Sequence, residues 1–404
     1  MINGPFSPWP SYSKAEAEAV SQVLLSNRVN YWTGDEVQQF EREFARFADS
    51  EYAIAVSNGT TALELALKGL GIGHGDEVIV TSRTFLASVS SIVTAGAVPV
   101  FADVDRDSQN ITVDSVCRVM SSRTKAIIAV HLAGWPCEME GLMALAEEHG
   151  LYVIEDCAQA HGAIYKGCSV GSIGHVGAWS FCQDKIITTG GEGGMVTTND
   201  FDLWERMWAY KDHGKSWNAF YKREHPPGFR WLHESFGTNW RLTAMQAAIG
   251  RIQLARMPEW KSIRRANAER IWETARECPG IRVPTLPKYI EHAAYKCYVF
   301  VEPEYLAAGW HRDRILSEII ARGVPCFAGS CSEVYLERAF DGTGWRPKQP
   351  LPVAKELGET SLMFLCHPTL TEVEIDKTCQ VLREVTSEAF AWHQSMSYSA
   401  SVRC

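Results

Sequence analysis

Short apolar runs alternate with segments of helical spacing along the first part of the chain. Tyr52–Val56, Glu77–Thr81, Val98–Ala102, Lys125–Val130 and Leu151–Glu155 are four to eight residues long, rich in β-branched side chains, and predict strands. Between them Thr60–Lys68, Leu86–Thr94 and Met139–His149 place apolar residues three and four apart, which predicts helices. Strand and helix therefore recur as βα units, and a mostly parallel sheet covered by helices is expected. Gly177–Cys182 and Met195–Thr198 predict two further strands, and a helical stretch near Lys14–Leu25 precedes the whole series within an N-terminal arm.

A single long helical pattern is expected from about Leu242 to Ala275, ended by Cys278-Pro-Gly280. Beyond it, Tyr298–Glu302 predicts a strand and Arg312–Ala321 a helix. The expected organisation is an arm over residues 1–30, a large α/β domain over 31–277, a small α+β domain over 278–388, and a loosely ordered tail over 389–404 rich in serine and aromatics.

Composition narrows the function. At 404 residues two domains are the default. A net charge of -9 argues against nucleic acid as the main partner. The cysteines show no CxxC pair and no Cys/His ligand spacing, so neither a metal site nor a disulfide framework is expected. No apolar stretch reaches membrane-spanning length, and a reduced, cytoplasmic protein without membrane contact is the expectation.

Chemistry is expected just past the carboxyl ends of the strands. Lys185 falls between two predicted strands and is followed by Gly190, Gly191, Gly193 and Gly194, which let the backbone turn tightly against a ligand. An amine held out of bulk water there suits attack on a carbonyl. Ser57-Asn58-Gly59-Thr60-Thr61 follows a strand and opens a helix, where backbone amides hold phosphate; an ordinary helix cap accounts for the same residues equally well. Gly69–Gly75 misses the dinucleotide-binding spacing and is read as a helix-to-strand turn. Phe85 can stack on an aromatic ring or simply pack. Asp156 ends a strand, where a protonated pyridine nitrogen, a helix cap or an ion pair would each satisfy it.

An aldehyde-capturing amine, a carboxylate and an anion cradle are the parts of a pyridoxal phosphate site. On the motifs Ser57-Asn-Gly-Thr-Thr-Ala-Leu63, Gly75-Asp-Glu-Val78, Thr84-Phe-Leu-Ala87, Ala95–Phe101, Glu155-Asp-Cys-Ala-Gln-Ala160, Ser180-Phe with Lys185, and Gly191-Glu-Gly-Gly194, the chain resembles the DegT/DnrJ/StrS family of nucleotide-sugar aminotransferases. The resemblance runs from the Tyr31–Gly34 segment to the His367–Leu370 region. It implies a fold type I transferase in which Lys185 carries pyridoxal 5'-phosphate, with pyridoxamine 5'-phosphate as the alternate form. By the same resemblance Asp156 pairs with the ring nitrogen, Gln159 lies near the ring oxygen, and Phe85 stacks on the ring. Gly59, Thr60 and Ser180 would bind phosphate, and Asn239 would reach it from the other subunit of a homodimer. The implied reaction moves an amino group from an amino acid, by family habit L-glutamate, to a nucleotide-linked keto-sugar, most often a 4-keto-6-deoxy sugar. Its product would serve surface polysaccharide or secondary-metabolite synthesis. Two rivals are a sugar 3-dehydratase of the same family, which has histidine in place of the lysine, and a non-catalytic cofactor-binding regulator. The Ile186–Gly191 and Cys326–Ser332 segments depart from common family patterns, which touches the sugar and leaves the cofactor residues alone.

From Arg206 to Arg241 seven Lys or Arg stand against three acids, a local +4, interleaved with nine aromatics. Lys215, Arg230 and Arg241 are candidates for the substrate diphosphate, although a charged loop is commonly just solvated.

Overall fold

The computed structural model describes residues 5–390. Strands β1 (Tyr52–Val56), β2 (Glu77–Thr81), β3 (Val98–Ala102), β4 (Thr124–Val130) and β5 (Tyr152–Asp156) follow the apolar runs closely. Two short strands, β6 (Ile164–Tyr165) and β7 (Cys168–Ser169), precede β8 (Val176–Ser180) and β9 (Gly194–Thr198). The main sheet runs β1-β9-β8-β5-β4-β2-β3. Its members from β8 to β3 are mutually parallel, and β9 lies antiparallel to both of its neighbours. Almost every residue of β2, β4, β5, β8 and β9 is buried, as expected of strands covered on both faces.

A second sheet, β10 (Ile281–Arg282), β12 (Cys297–Val301), β14 (Ser361–Phe364) and β13 (Cys326–Phe327) in that order, is antiparallel throughout. β11 (Ile290–Glu291) instead joins β6 and β7. The buried apolar residues fall into several clusters, the two largest lying along the main sheet and around the second sheet, with a further one on the other face of the main sheet. On that basis we propose the division near residue 277 into a large and a small domain.

The long helix expected over 242–275 is two helices, Ala244–Ala255 and Met257–Arg276. Apolar spacing continues across the break, but Pro258 has no N–H to give to a preceding turn and sits instead in the first turn of the second helix. That second helix belongs to both cores: Met257 and Trp260 pack into the first, and Ala268, Ile271, Trp272 and Ala275 into the second. The last helix, Glu372–Ala389, was not among the expected elements, and Phe390 after it is 2% exposed, its ring against Gly280. The loosely ordered tail was expected from 389; Ala389 and Phe390 are instead part of the core, and 391–404 lie outside the described residues. Gly69–Gly75 is a turn into β2, with Gly71 and Gly75 at positive φ.

The arm is tied down. Trp9 packs edge-on against Trp260 at 5.1 Å, stacks near His367 at 5.9 Å, and covers the Arg264 guanidinium at 4.8 Å.

Candidate active site

The anion cradle forms where β1 ends. Asn58 caps the helix Gly59–Gly69: its Oδ1 accepts from Thr61 N at 2.9 Å, and Thr61 Oγ1 accepts from Asn58 N at 3.2 Å. The cap engages Asn58 and Thr61, while the first-turn amides of Gly59 and Thr60 have no intrahelical acceptor and lie at the positive end of the helix dipole. Ser180, at the end of β8, is packed directly on Gly59; a Cβ built on Gly59 would sit 2.6 Å from Ser180 Cβ. A Cβ on Gly194 would meet the Asn58 carbonyl oxygen at 2.3 Å. Glycine at both positions lets β8, β9 and the helix start converge.

Asp156 ends β5, paired in parallel with Ala178 of β8, and is 6% exposed. Its Oδ2 accepts from Ser88 Oγ at 2.7 Å and its Oδ1 from Ala158 N at 3.1 Å. Ser88 is held in turn by Thr84 Oγ1 at 2.8 Å. Among the described residues Asp156 has no cationic partner, so a buried carboxylate is left able to take a protonated ring nitrogen. Glu155, one residue earlier and on the other face, is fully engaged: its oxygens accept from Gly171 N, Ile173 N, Gly174 N and His131 Nε2. Because His131 Nδ1 accepts from Cys137 N at 2.9 Å, the ring proton sits on Nε2 and is donated to Glu155. Glu155, His131 and Cys157 bring ligand-type atoms within 4.8 Å of one another, yet the first two have no lone pair to spare and burial pushes the Cys157 thiol well up. Glu155 and His131 together clamp the strand that carries Asp156.

Lys185 lies on the loop between β8 and β9 and its side chain is 16% exposed. Its carbonyl accepts from Trp9 Nε1 at 2.9 Å, so the arm fixes its backbone. The ammonium stands 5.3 Å from the ring centre of Tyr295 and 3.8 Å from Asp184 Oδ1. Tyr295 donates its hydroxyl to Asp184 Oδ2 at 2.6 Å. Burial raises the Asp184 carboxyl, but Lys185, the Tyr295 hydrogen bond and Lys296 outweigh it and hold it below the usual range. Burial and Asp184 push the Tyr295 phenol up. His161, fully buried nearby, is held neutral by burial and by the charges of Lys185 and Arg264, its pKa lowered to about 3.

The remaining candidates divide. Gln159 Oε1 accepts from Ala133 N at 2.8 Å, which leaves its NH2 for a ligand. Phe85 follows β2 with its ring 71% exposed. Asn239 is exposed, its backbone bridged to Asp212. Arg241 Nη1 contacts Asp212 Oδ1 at 2.7 Å and Lys215 Nζ lies 3.8 Å from the same oxygen, so both serve one carboxylate within the chain. Lys215 also sits over the Trp32 ring at 3.5 Å, its pKa lowered chiefly by burial. Arg230 is exposed beside Phe229 and Trp231, which are 78% and 79% exposed. The sequence reading missed Ser88, Asp184 and Tyr295. Asp184 and Ser88 stand beside or within quoted motifs, whereas nothing local marks Tyr295.

The sequence profile of the DegT/DnrJ/EryC1/StrS aminotransferase family matches residues 10–383. The chain belongs to that family. This aminotransferase is 34% identical over 383 residues to the GDP-perosamine synthase of Escherichia coli O157:H7, covering 94% of this chain and 98% of that one. It is 35% identical over 377 residues to dTDP-3-amino-3,4,6-trideoxy-alpha-D-glucose transaminase of Streptomyces venezuelae, covering 93% of each. An aminotransferase from Psychrobacter cryohalolentis superposes with a TM-score of 0.94 at 64% identity, over 95% of this chain and 100% of that one. The enzyme class is that of the nucleotide-sugar aminotransferases, and the fold is their α/β fold.

Proposed function

We propose that the protein uses pyridoxal 5'-phosphate to move an amino group from an amino acid, glutamate by family resemblance, to a nucleotide-linked 4-keto-6-deoxy sugar. The observation that carries this is the convergence of Asp156, Ser180 and Gly59 at the ends of β5, β8 and β1, with Lys185 on the loop that leaves β8. The cofactor, when bound, supplies an electron sink and a carrier for the amino group. Gly59, Thr60 and Ser180 would hold its phosphate, Phe85 would cover one ring face, and Gln159 would donate toward the ring oxygen. Asp156, buried and without a cation, would keep the ring nitrogen protonated. Lys185 would hold the cofactor covalently, give way to the donor's amine, and then move the proton at the donor's Cα with its freed Nζ. In the second half the same Nζ would return a proton to the sugar carbon. A lysine at 185 favours amino transfer over dehydration.

Phe229 and Trp231, whose rings pack together at 4.9 Å, and Phe236 are 78%, 79% and 99% exposed and precede Asn239 in the chain, leaving apolar rings uncovered. We take these rings to be the contact with a second subunit, to which Asn239 would offer its amide for phosphate. No helix of the described residues is long and apolar enough to cross a membrane, and we place the reaction in the cytoplasm.

Lys185→Ala tests the core of this reading. Absorbance of the lysine-bound cofactor and formation of 2-oxoglutarate from glutamate should both vanish with thermal stability unchanged; retained turnover would overturn it. Offering the pyridoxamine form a panel of nucleotide keto-sugars, and following which restores the original spectrum, identifies the acceptor.

A further inference from the structure

A cleft of about 530 Å³ opens between the arm and the second sheet, bounded by Phe6, Trp9, Asp184, Lys296, Val324 and His367. Asp184 joins it to Lys185, whose ammonium is 3.8 Å away. Lys296, next to β12, has neither an ion pair nor a hydrogen bond among the described residues; its ammonium lies 4.9 Å from the Tyr295 ring centre. The other cations behave differently. Arg241 and Lys215 attend Asp212, and Arg264 is closed off beneath Trp9. Among the described residues that line this cleft the one carboxylate is itself committed, since Asp184 accepts from Tyr295.

We propose that Lys296 binds a carboxylate of the amino-acid donor, so that the donor enters along this cleft with its amine toward Lys185. This rests on the transamination reading above. Burial lowers the pKa of Lys296, the mark of an ammonium whose lost hydration an incoming anion would replace. The neighbouring walls, Phe6, Trp9 and Val324, are apolar and would cover the donor's methylenes. One pocket thus holds a cation for the small, anionic donor, apart from the exposed Arg230 beside Phe229 and Trp231, which is left to the bulky nucleotide-linked acceptor. The two substrates of a ping-pong exchange would share Lys185 and differ in everything else they touch.

The test uses Lys296→Met and Lys296→Arg in the full-length holoenzyme, with glutarate as a probe that has two carboxylates and no amine. In Lys296→Met the glutamate concentration for half-maximal conversion to the pyridoxamine form should rise roughly tenfold or more, as expected for loss of a charged hydrogen bond. Reaction of the pyridoxamine form with the keto-sugar should not change, and Lys296→Arg should recover much of the loss. Glutarate should raise the melting temperature of the wild-type holoenzyme and not that of Lys296→Met. Unchanged glutamate dependence, or equal loss in both halves, overturns the assignment. If wild type yields no 2-oxoglutarate but glutarate still stabilises it through Lys296, the transamination reading fails and the carboxylate site stands. If wild type and Lys296→Met yield it equally, the site fails and the reading stands.

Discussion

Gly59→Ala opposes two effects of known size. The backbone at Gly59 is helical and not in the left-handed region, so alanine is allowed there and gains up to about 1 kcal/mol of helix propensity. The added Cβ, however, would sit 2.6 Å from Ser180 Cβ, 2.9 Å from its Oγ and 3.1 Å from its Cα, where ordinary contact begins at 3.4 Å. The helix start and the end of β8 must therefore part by about 0.8 Å, and a backbone-to-backbone separation of that kind costs about 1–3 kcal/mol. Overpacking equals or exceeds the propensity gain, and the cofactor-free protein should lose up to about 2 kcal/mol. A shift of 0.8 Å would take one phosphate hydrogen bond from ordinary length past 3.5 Å, a loss of about 1.5–3 kcal/mol, or roughly 10- to 150-fold in affinity. Cofactor titration followed by absorbance gives the affinity, and chemical denaturation gives the stability. Gly59→Ala combined with Ser180→Gly removes the two closest clashes and should restore part of the lost stability but not the serine's own contribution to affinity. Wild-type affinity and stability in the single variant would refute the cradle as described.

Three further outcomes follow from buried groups. His292 is held neutral by burial, its pKa lowered to about 3, and its Nδ1 accepts from Ala294 N. A depressed folded value means the stability is present above the unfolded pKa near 6.5 and is lost below it, about 2 kcal/mol by pH 5; unfolding curves of His292→Gln should lose that share of the pH dependence. Arg83 is buried and donates to Gln109 Oε1, Ser332 Oγ and Ser361 Oγ, joining the end of β2 to the second sheet. Arg83→Met strands three polar partners and should cost about 3 kcal/mol or more in denaturant titration. Phe390→Ala should cost about 3–5 kcal/mol, and an unchanged melting temperature would place that ring outside the core.

The inner strands of the main sheet were legible because they are almost wholly buried, so most read as short apolar runs bounded by turn residues. Lys185, Asp156 and Gly59 were legible because each stands just past such a run. The helix break at Arg256 was not, since periodicity reports which face is apolar and continues straight through Pro258. A count of charge could not show that Lys215 and Arg241 converge on Asp212, because pairing is a property of space. Tyr295 lies 111 residues from Asp184 along the chain and meets it only through the packing of the second sheet.

The helix Met257–Arg276 lends its first turns to one core and its last turns to the other. A rod gripped at both ends transmits torque, so the two halves cannot swing apart about a loose linker. Any widening of the cleft beside Lys296 would have to bend or roll this rod. The give in the molecule is then expected at the break before Pro258 and at Trp9, which rests on the same rod through Trp260 and Arg264. Whatever stiffens that joint should slow the exchange of one substrate for the next while leaving the chemistry at Lys185 untouched.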